Sequence, residues 1–306
     1  MTSRPQITTV ISEAVDVLRV GGLVGLPTET VYGLGALALN QTAVRRLYDT
    51  KGRPYDHPLI VHVADITAAQ SWGIFNEQAL ELAHAFWPGP LTLLVPRTDK
   101  TPDWVTGGRH TVAIRVPFHP VALELLQLLH DGVVAPSANK FGKVSPTTAQ
   151  HVAQDLGDAV DLILDGGECS IGVESTIVEC ANDAIQILRP GAISAEQIET
   201  VLRQKTQLST RGSRAPGMLE VHYAPSATVI LCVSLDDANA HQRACSDSVE
   251  TTRIIHHADP NEYAQHLYQD LRQADTDNIA IIFAVLPASF GIGEAVRDRL
   301  TKAASR

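Results

Sequence analysis

The chain has no apolar run of membrane-spanning length, and its first residues, Met1 to Gln6, lack the apolar stretch of a signal peptide. Cysteine is scarce. Cys169, Cys180, Cys232 and Cys245 are the four among 306 residues, and none stands in a C-x-x-C pair. A disulfide framework is therefore not expected, and free thiols suit a reducing compartment. Together these absences predict a soluble, cytoplasmic protein. Basic charge is short as well: 24 Lys and Arg face 34 Asp and Glu, a formal net charge of −10. That balance argues against a generic polyanion binder and leaves room for a small anionic ligand in a locally basic pocket. The P-loop pattern G-x-x-x-x-G-K-[ST], the G-x-S-x-G elbow and H-E-x-x-H are all missing. Gly33 and Gly35, like Gly291 and Gly293, do not extend into a dinucleotide fingerprint. His110, His119 and His130 are scattered, so no metal site is predicted on protein ligands.

What is present centres on Lys51-Gly52-Arg53-Pro54, followed by Tyr55, Asp56 and His57 and then the apolar run Leu59 to Val63. The pattern places two cations on a short turn ahead of a buried strand. Lysine supplies a point charge and arginine a planar fork, a pairing suited to phosphate or carboxylate. Because both stand on a turn, their removal is expected to cost little stability.

Periodicity predicts a helix over Ile7 to Val20, a strand over Leu23 to Leu26, and a polar turn over Pro27 to Gly35. Asn40 caps a helix through Tyr48, and Asp65 caps another. Glu77 to Phe86 is helical, Leu91 to Val95 a strand, and Thr98 to His110 loop-like. In Thr111 to Val116, alternation puts Val112, Ile114 and Val116 on one face and Thr111, Ala113 and Arg115 on the other. An arginine on a covered face needs a partner or a ligand. Ser137 and Asn139 project to one side of an extended Pro136-Ser137-Ala138-Asn139 segment. Thr147 with Gln150 and Ser194 with Gln197 read as capping boxes.

Gln204 to Glu220 is polar, and with His222-Tyr223-Ala224-Pro225 it reads as a linker over residues 204–225. It separates a catalytic unit (1–203) from a small unit (226–306). The catalytic unit is α/β with a mixed sheet. The small unit is a βαβαβα pattern that predicts a Rossmann-like parallel sheet under helices. The linker carries Arg211, Arg214 and Tyr223, and it is expected to fold over the pocket when ligands bind.

The polar inventory gathers at strand ends: Thr28, Thr30, Lys51, Arg53, His57, His62, Arg115, Ser137, Asn139, Ser145, Ser175 and Arg189. Cations outnumber acids, no cysteine nucleophile is present, and no base neighbours a serine. Such a set suits gripping anions and orienting reactants, with catalysis by position and electrostatics.

Several of these segments, in this order, resemble the YrdC/Sua5 family of threonylcarbamoyl-AMP synthases. They are Pro27 to Gly35, Lys51 to Pro54 with Pro58-Leu59, Arg115-Val116-Pro117, and Pro136 to Asn139. Ser145-Pro146-Thr147, Ser175-Thr176, Leu188 to Gly191, Pro216-Gly217-Met218 and His222 to Pro225 complete the match. Phe141 departs from it, standing where members often carry serine. The resemblance implies a YrdC-like twisted mixed sheet with flanking helices, plus the small C-terminal domain of the longer members. It implies synthesis of threonylcarbamoyl-AMP and pyrophosphate from L-threonine, bicarbonate and ATP. The product would pass to a tRNA-modifying transferase for N6-threonylcarbamoylation of adenosine 37. Carried over by motif, Lys51 and Arg53 would be catalytic. Arg53, His57, Thr111, Asn139, Ser145, Arg189 and Tyr223 would surround ATP. Thr30, His62, Arg115, Ser137 and Ser175 would surround threonine. Magnesium would come with the ATP.

Two other readings fit the same residues: a double-stranded RNA or other nucleic-acid binding module using the basic pocket, and an adenylate-forming enzyme for another amino acid. The net charge, and the lack of a basic stripe with interleaved aromatics, weigh against the first. Neither stable nucleic-acid binding nor membrane association is expected.

Overall fold

The structure is a computed structural model that describes residues 5–181, 185–208, 223–245 and 251–305. The chain begins β1 (Gln6–Thr8), α1 (Ile11–Arg19), β2 (Val24–Leu26), β3 (Gly33–Leu37), α2 (Gln41–Lys51) and β4 (Ile60–His62). It continues α3 (Ile66–Gln70), α4 (Glu77–Phe86), β5 (Leu91–Pro96), α5 (Asp103–Thr106), β6 (Thr111–Arg115) and α6 (Pro120–Leu129). Then come β7 (Val133–Val134), α7 (Ala149–Leu156), β8 (Leu162–Leu164), β9 (Thr176–Glu179), β10 (Gln186–Arg189), α8 (Ala195–Leu202) and β11 (Gln207–Leu208). The last third holds β12 (Thr228–Cys232), α9 (Leu235–Ala244), β13 (Thr252–Ile255), α10 (Pro260–Thr276), β14 (Ile281–Val285) and α11 (Gly293–Ala304).

Eleven strands form a mixed sheet in the order β1-β8-β2-β3-β7-β4-β6-β5-β9-β10-β11. Its alternation sorts side chains by face. Val112 and Ile114 of β6 join the main core with Val44, Leu47 and Tyr48 of α2 and Leu82 of α4. Ala113 instead joins a small cluster with Ile60, Leu94, Ile177 and Leu188. That second face carries Arg115. Helices α1 and α6 close the sheet near β2 and β8 through Ala14, Leu18, Leu125 and Leu126.

The second sheet is parallel, β12-β14-β13. Helices α10 and α11 cover one face with Tyr263, Leu267, Tyr268, Val296 and Leu300. The same cluster takes in Val31, Val144 and Val173 from the first part of the chain, so the small unit packs directly on loops of the large one.

Local sequence accounts for the helix starts. Asn40 and Asp65 accept from the amides of Ala43 and Ala68, and the Ser194–Gln197 capping box forms as its spacing predicts. Three expectations need correction. The helix predicted from Ile7 begins at Ile11, because residues 6–8 pair in parallel with β8 and close the sheet edge. The cap before α7 is Thr148, one residue after Thr147. The stretch Thr98 to His110 contains the short helix α5. Of the expected linker, residues 209–222, including Arg211, Arg214 and His222, lie outside the described residues.

Candidate active site

A cavity lined by polar and charged side chains opens on the face of the sheet that carries Arg115. Its lining comes from the turn after β2, the ends of β4 and β6, the segment after β7, the entry to β9 and the end of β10. Gly33 makes the first contact possible. A Cβ there would stand 2.8 Å from the Cβ of Ala135, so only glycine lets β3 lie against the 135–137 segment.

Arg115 ends β6 beside His62 of β4, its register partner. Its Nη1 donates to Thr30 Oγ1 at 2.9 Å and its Nε to the Gly89 carbonyl at 3.3 Å. Nη2 stands 2.7 Å from Glu29 Oε1, an ion pair whose angle is too poor for a hydrogen bond. Both Glu29 oxygens and Arg115 Nη2 are thus buried without a hydrogen-bond partner. Arg115 is held at the cavity wall by one ion pair and two hydrogen bonds, and a ligand carboxylate would meet its guanidinium in competition with Glu29. His62 is neutral: burial first, and then the Arg115 charge, lower its pKa to about 3. Its Nδ1 also has no hydrogen-bond partner. Thr30 is fixed by Thr28, whose hydroxyl lies 2.9 Å away and donates to the Val31 carbonyl at 2.6 Å.

The cations are not on an exposed turn. Lys51, Arg53, Arg115 and Arg189 are 3, 8, 4 and 4 % exposed. Lys51 is the last residue of α2, with Gly52 in the left-handed conformation that ends the helix. The segment after β7 folds over it, and its Nζ donates to the carbonyls of Ser137 and, at 2.6 Å, Asn139. Burial and the neighbouring Arg53 hold its pKa well below the ordinary lysine value. Arg53 donates to the Pro58 carbonyl at 3.0 Å, lies over the Phe141 ring at 5.9 Å, and keeps a buried Nε without a hydrogen-bond partner. Burial lowers its pKa to about 10. Arg189, at the end of β10, donates from Nε and Nη2 to the Ser175 carbonyl at 3.1 and 2.9 Å and reaches the Ser175 hydroxyl at 3.1 Å. Thr92 holds that hydroxyl from the other side at 2.7 Å. Cations this deep cannot track the phosphates of a duplex, which disfavours the double-stranded RNA reading.

Among the described residues, Glu174 is the one carboxylate lining the cavity. It accepts from Ser145 Oγ at 2.7 Å, Tyr268 Oη at 2.8 Å and Arg299 Nε at 2.8 Å. Burial opposes its charge, but Arg299 and Arg189 more than offset that and lower its pKa to about 2. Tyr223 lines the cavity beside it, stacked on Tyr268 at 5.6 Å and under the Arg299 guanidinium at 5.1 Å.

Two family models match the chain: Telomere recombination (Sua5, YciO, YrdC) over residues 16–191, and the threonylcarbamoyl-AMP synthase C-terminal domain over residues 193–305. The chain belongs to the Sua5/YrdC family. It is 41 % identical to the threonylcarbamoyl-AMP synthase of Bacillus subtilis, over 99 % of this chain and 94 % of that one. It is 40 % identical to that of Pyrococcus abyssi, over 94 % and 91 %. A crystal structure of Pyrococcus abyssi Sua5 complexed with L-threonine superimposes with a TM-score of 0.91 at 37 % identity, covering 98 % of this chain and 97 % of that one.

Among the residues expected from the Sua5/YrdC resemblance, Thr30, Arg53, His62, Arg115, Ser137, Ser175, Arg189 and Tyr223 line the cavity. Five do not. Lys51 sits behind the 137–139 segment, and Asn139 is buried there, its amide spent on the carbonyls of Lys140 and Lys143. Ser145 sits behind Glu174. His57 is half-buried against Phe141, ring centroids 5.6 Å apart. Thr111 opens β6, four residues and about 13 Å from Arg115 along the same face. Sequence reasoning missed Glu174, Arg299 and the Glu29 pairing, since each depends on a partner distant in sequence.

Proposed function

We propose that this protein makes L-threonylcarbamoyladenylate from L-threonine, bicarbonate and ATP, releasing pyrophosphate. The observation that carries the reading is one small cavity lined by three buried arginines, Arg115 beside Thr30 and His62 together with Arg53 and Arg189. Arg115 receives the threonine carboxylate. Thr30, His62, Ser137 and Ser175 surround the side chain and amine. The amine condenses with bicarbonate, losing water, to give the carbamate. A carbamate oxygen then bonds to the α-phosphorus of ATP as the bond to the bridging oxygen breaks and pyrophosphate departs. Arg53 and Arg189 offset the charge that builds on the phosphates. Lys51, behind the 137–139 segment, holds the Ser137 and Asn139 carbonyls and so fixes the wall that Ser137 presents to the site. Magnesium would arrive on the nucleotide. The carboxylates at the site do not fit it as ligands, since Glu29 pairs with Arg115 and Glu174 with Arg299. The product would supply N6-threonylcarbamoylation of adenosine 37 by a separate transferase.

The test is to incubate the purified protein with ATP, bicarbonate and threonine and identify the adenylate by mass, with serine and other amino acids in parallel. Adenylate formed with threonine and matched by pyrophosphate supports the reading. Pyrophosphate release indifferent to the amino acid contradicts it, and a stronger product with another amino acid reassigns the substrate.

A further inference from the structure

Arg299 is fully buried, yet it belongs to the last helix of the small unit, 125 residues from the carboxylate it meets. Its guanidinium touches two residues of the cavity wall and the carbonyl of Pro190, next to the lining Arg189. Nε donates to Glu174 at 2.8 Å, Nη2 donates to the Pro190 carbonyl at 3.0 Å, and the plane lies over the Tyr223 ring. Asp298, its chain neighbour, takes Nη1. On the far side, Arg189 grips the carbonyl of Ser175, and the Gly191 turn presses so closely on residues 174–176 that a Cβ there would stand 2.2 Å from the Thr176 nitrogen. Two arginines, one from each unit, thus clamp Glu174-Ser175 between them.

We propose that Arg299 is a positioning residue of the reaction. It neutralises and orients Glu174, and through Glu174 it sets the wall that receives the phosphates. The inference rests on the reading of the cavity as a nucleotide and threonine site. The physical reason is charge. Among the described residues Glu174 is the one acid lining a cavity read as a polyanion site, and a bare carboxylate there repels phosphate through a medium of low dielectric. With Arg299 in place, and Lys302 paired to Asp298, the cluster of two acids and two bases is neutral, and Ser145 and Tyr268 fix the Glu174 carboxylate's remaining direction. The amino-acid end has no such dependence, because Arg115 is held by Glu29, Thr30 and Gly89.

The test is a double-mutant cycle in the full chain, with KM for ATP and for threonine measured separately in wild type, Arg299→Met, Glu174→Gln and the double variant. Arg299→Met is expected to raise the ATP KM about tenfold or more while the threonine KM stays within about twofold. The double variant removes both charges and is expected to recover most of the lost ATP affinity, which a purely structural role would not produce. Arg299→Lys keeps the charge, loses the fork, and is expected to fall between; it serves if Arg299→Met does not fold. An unchanged ATP KM in Arg299→Met and Arg299→Lys overturns the role, as does a double variant no better than Arg299→Met. A wild type that forms no adenylate overturns the underlying reading instead, and the proposal with it.

Discussion

The two ends of the cavity are built differently. The Arg115 end is made within one sheet: β4 and β6 set His62 beside Arg115, and the turn after β2 brings Glu29 and Thr30 to its guanidinium. The Glu174 end is shared between two sheets. Its carboxylate is held by Tyr268 and Arg299 from α10 and α11, and Arg272 of α10 ties the adjoining segment by donating to the Val144 carbonyl and pairing with Asp155, both at 2.5 Å. A strand-built end is rigid by construction, whereas a shared end exists only when the second unit is docked. Under the proposed function, specificity for the amino acid would then belong to the large unit, and acceptance of the nucleotide would depend on both.

The largest expected effect separates the ends at Arg115. Arg115→Lys keeps the charge and loses the fork, so the threonine KM should rise about tenfold with the ATP KM nearly unchanged. Arg115→Ala should cost the threonine KM about a hundredfold and, by stranding buried Glu29, about 3–5 kcal/mol of stability. Separate substrate titrations and a urea melt check both. Equal rises for the two substrates would dissolve the distinction.

Arg53 lines the same cavity and, under the proposed function, should behave as a phosphate group's partner. Arg53→Ala is expected to lower kcat by about a hundredfold, as loss of a charge-stabilising donor does elsewhere. Pyrophosphate release at saturating substrates measures it, and a near-normal kcat would remove Arg53 from the reaction.

Lys51→Ala should hurt in a different currency. Because Lys51 is buried and caps two carbonyls, its loss should destabilise the fold by about 2–4 kcal/mol. Denaturant unfolding decides this, and unchanged stability would mean water replaces the ammonium.

The smallest effect is on pH. His62 has a folded pKa of about 3 against an ordinary 6.5, so the unfolded chain takes a proton that the folded one refuses. Its contribution is complete above 6.5 and is lost as pH falls toward 3. Glu174 has a folded pKa of about 2 against 4.5, and its contribution is complete above 4.5 and is lost as pH falls toward 2. Unfolding series at pH 7, 5.5 and 3.5 should therefore show His62→Asn flattening the decline over both intervals and the Glu174→Gln, Arg299→Met pair flattening only the interval from 5.5 to 3.5. If neither variant alters its own step, the two groups do not carry these losses.

Much of this was legible because it is local. The alternation in Thr111 to Val116 put Arg115 on a face apart from the core, and Ser194 with Gln197 announced a helix start three residues wide. The failures are non-local. β1 reads as the beginning of a helix because its reason for being a strand is β8, more than a hundred residues on. Lys51 and Arg53 read as a turn because nothing near them shows that residues 137–141 fold over the lysine and lay Phe141 against the arginine. Glu174 lies next to the conspicuous Ser175-Thr176 pair, but its partner is on the last helix.

The most direct measurement of the two-ended cavity is threonine binding without nucleotide, by calorimetry, in wild type, Arg115→Lys and Arg299→Met. The strand-built end predicts that Arg299→Met binds threonine within about twofold of wild type while Arg115→Lys binds about tenfold more weakly. Equal losses in the two variants would contradict it, because threonine recognition would then also depend on the docked unit.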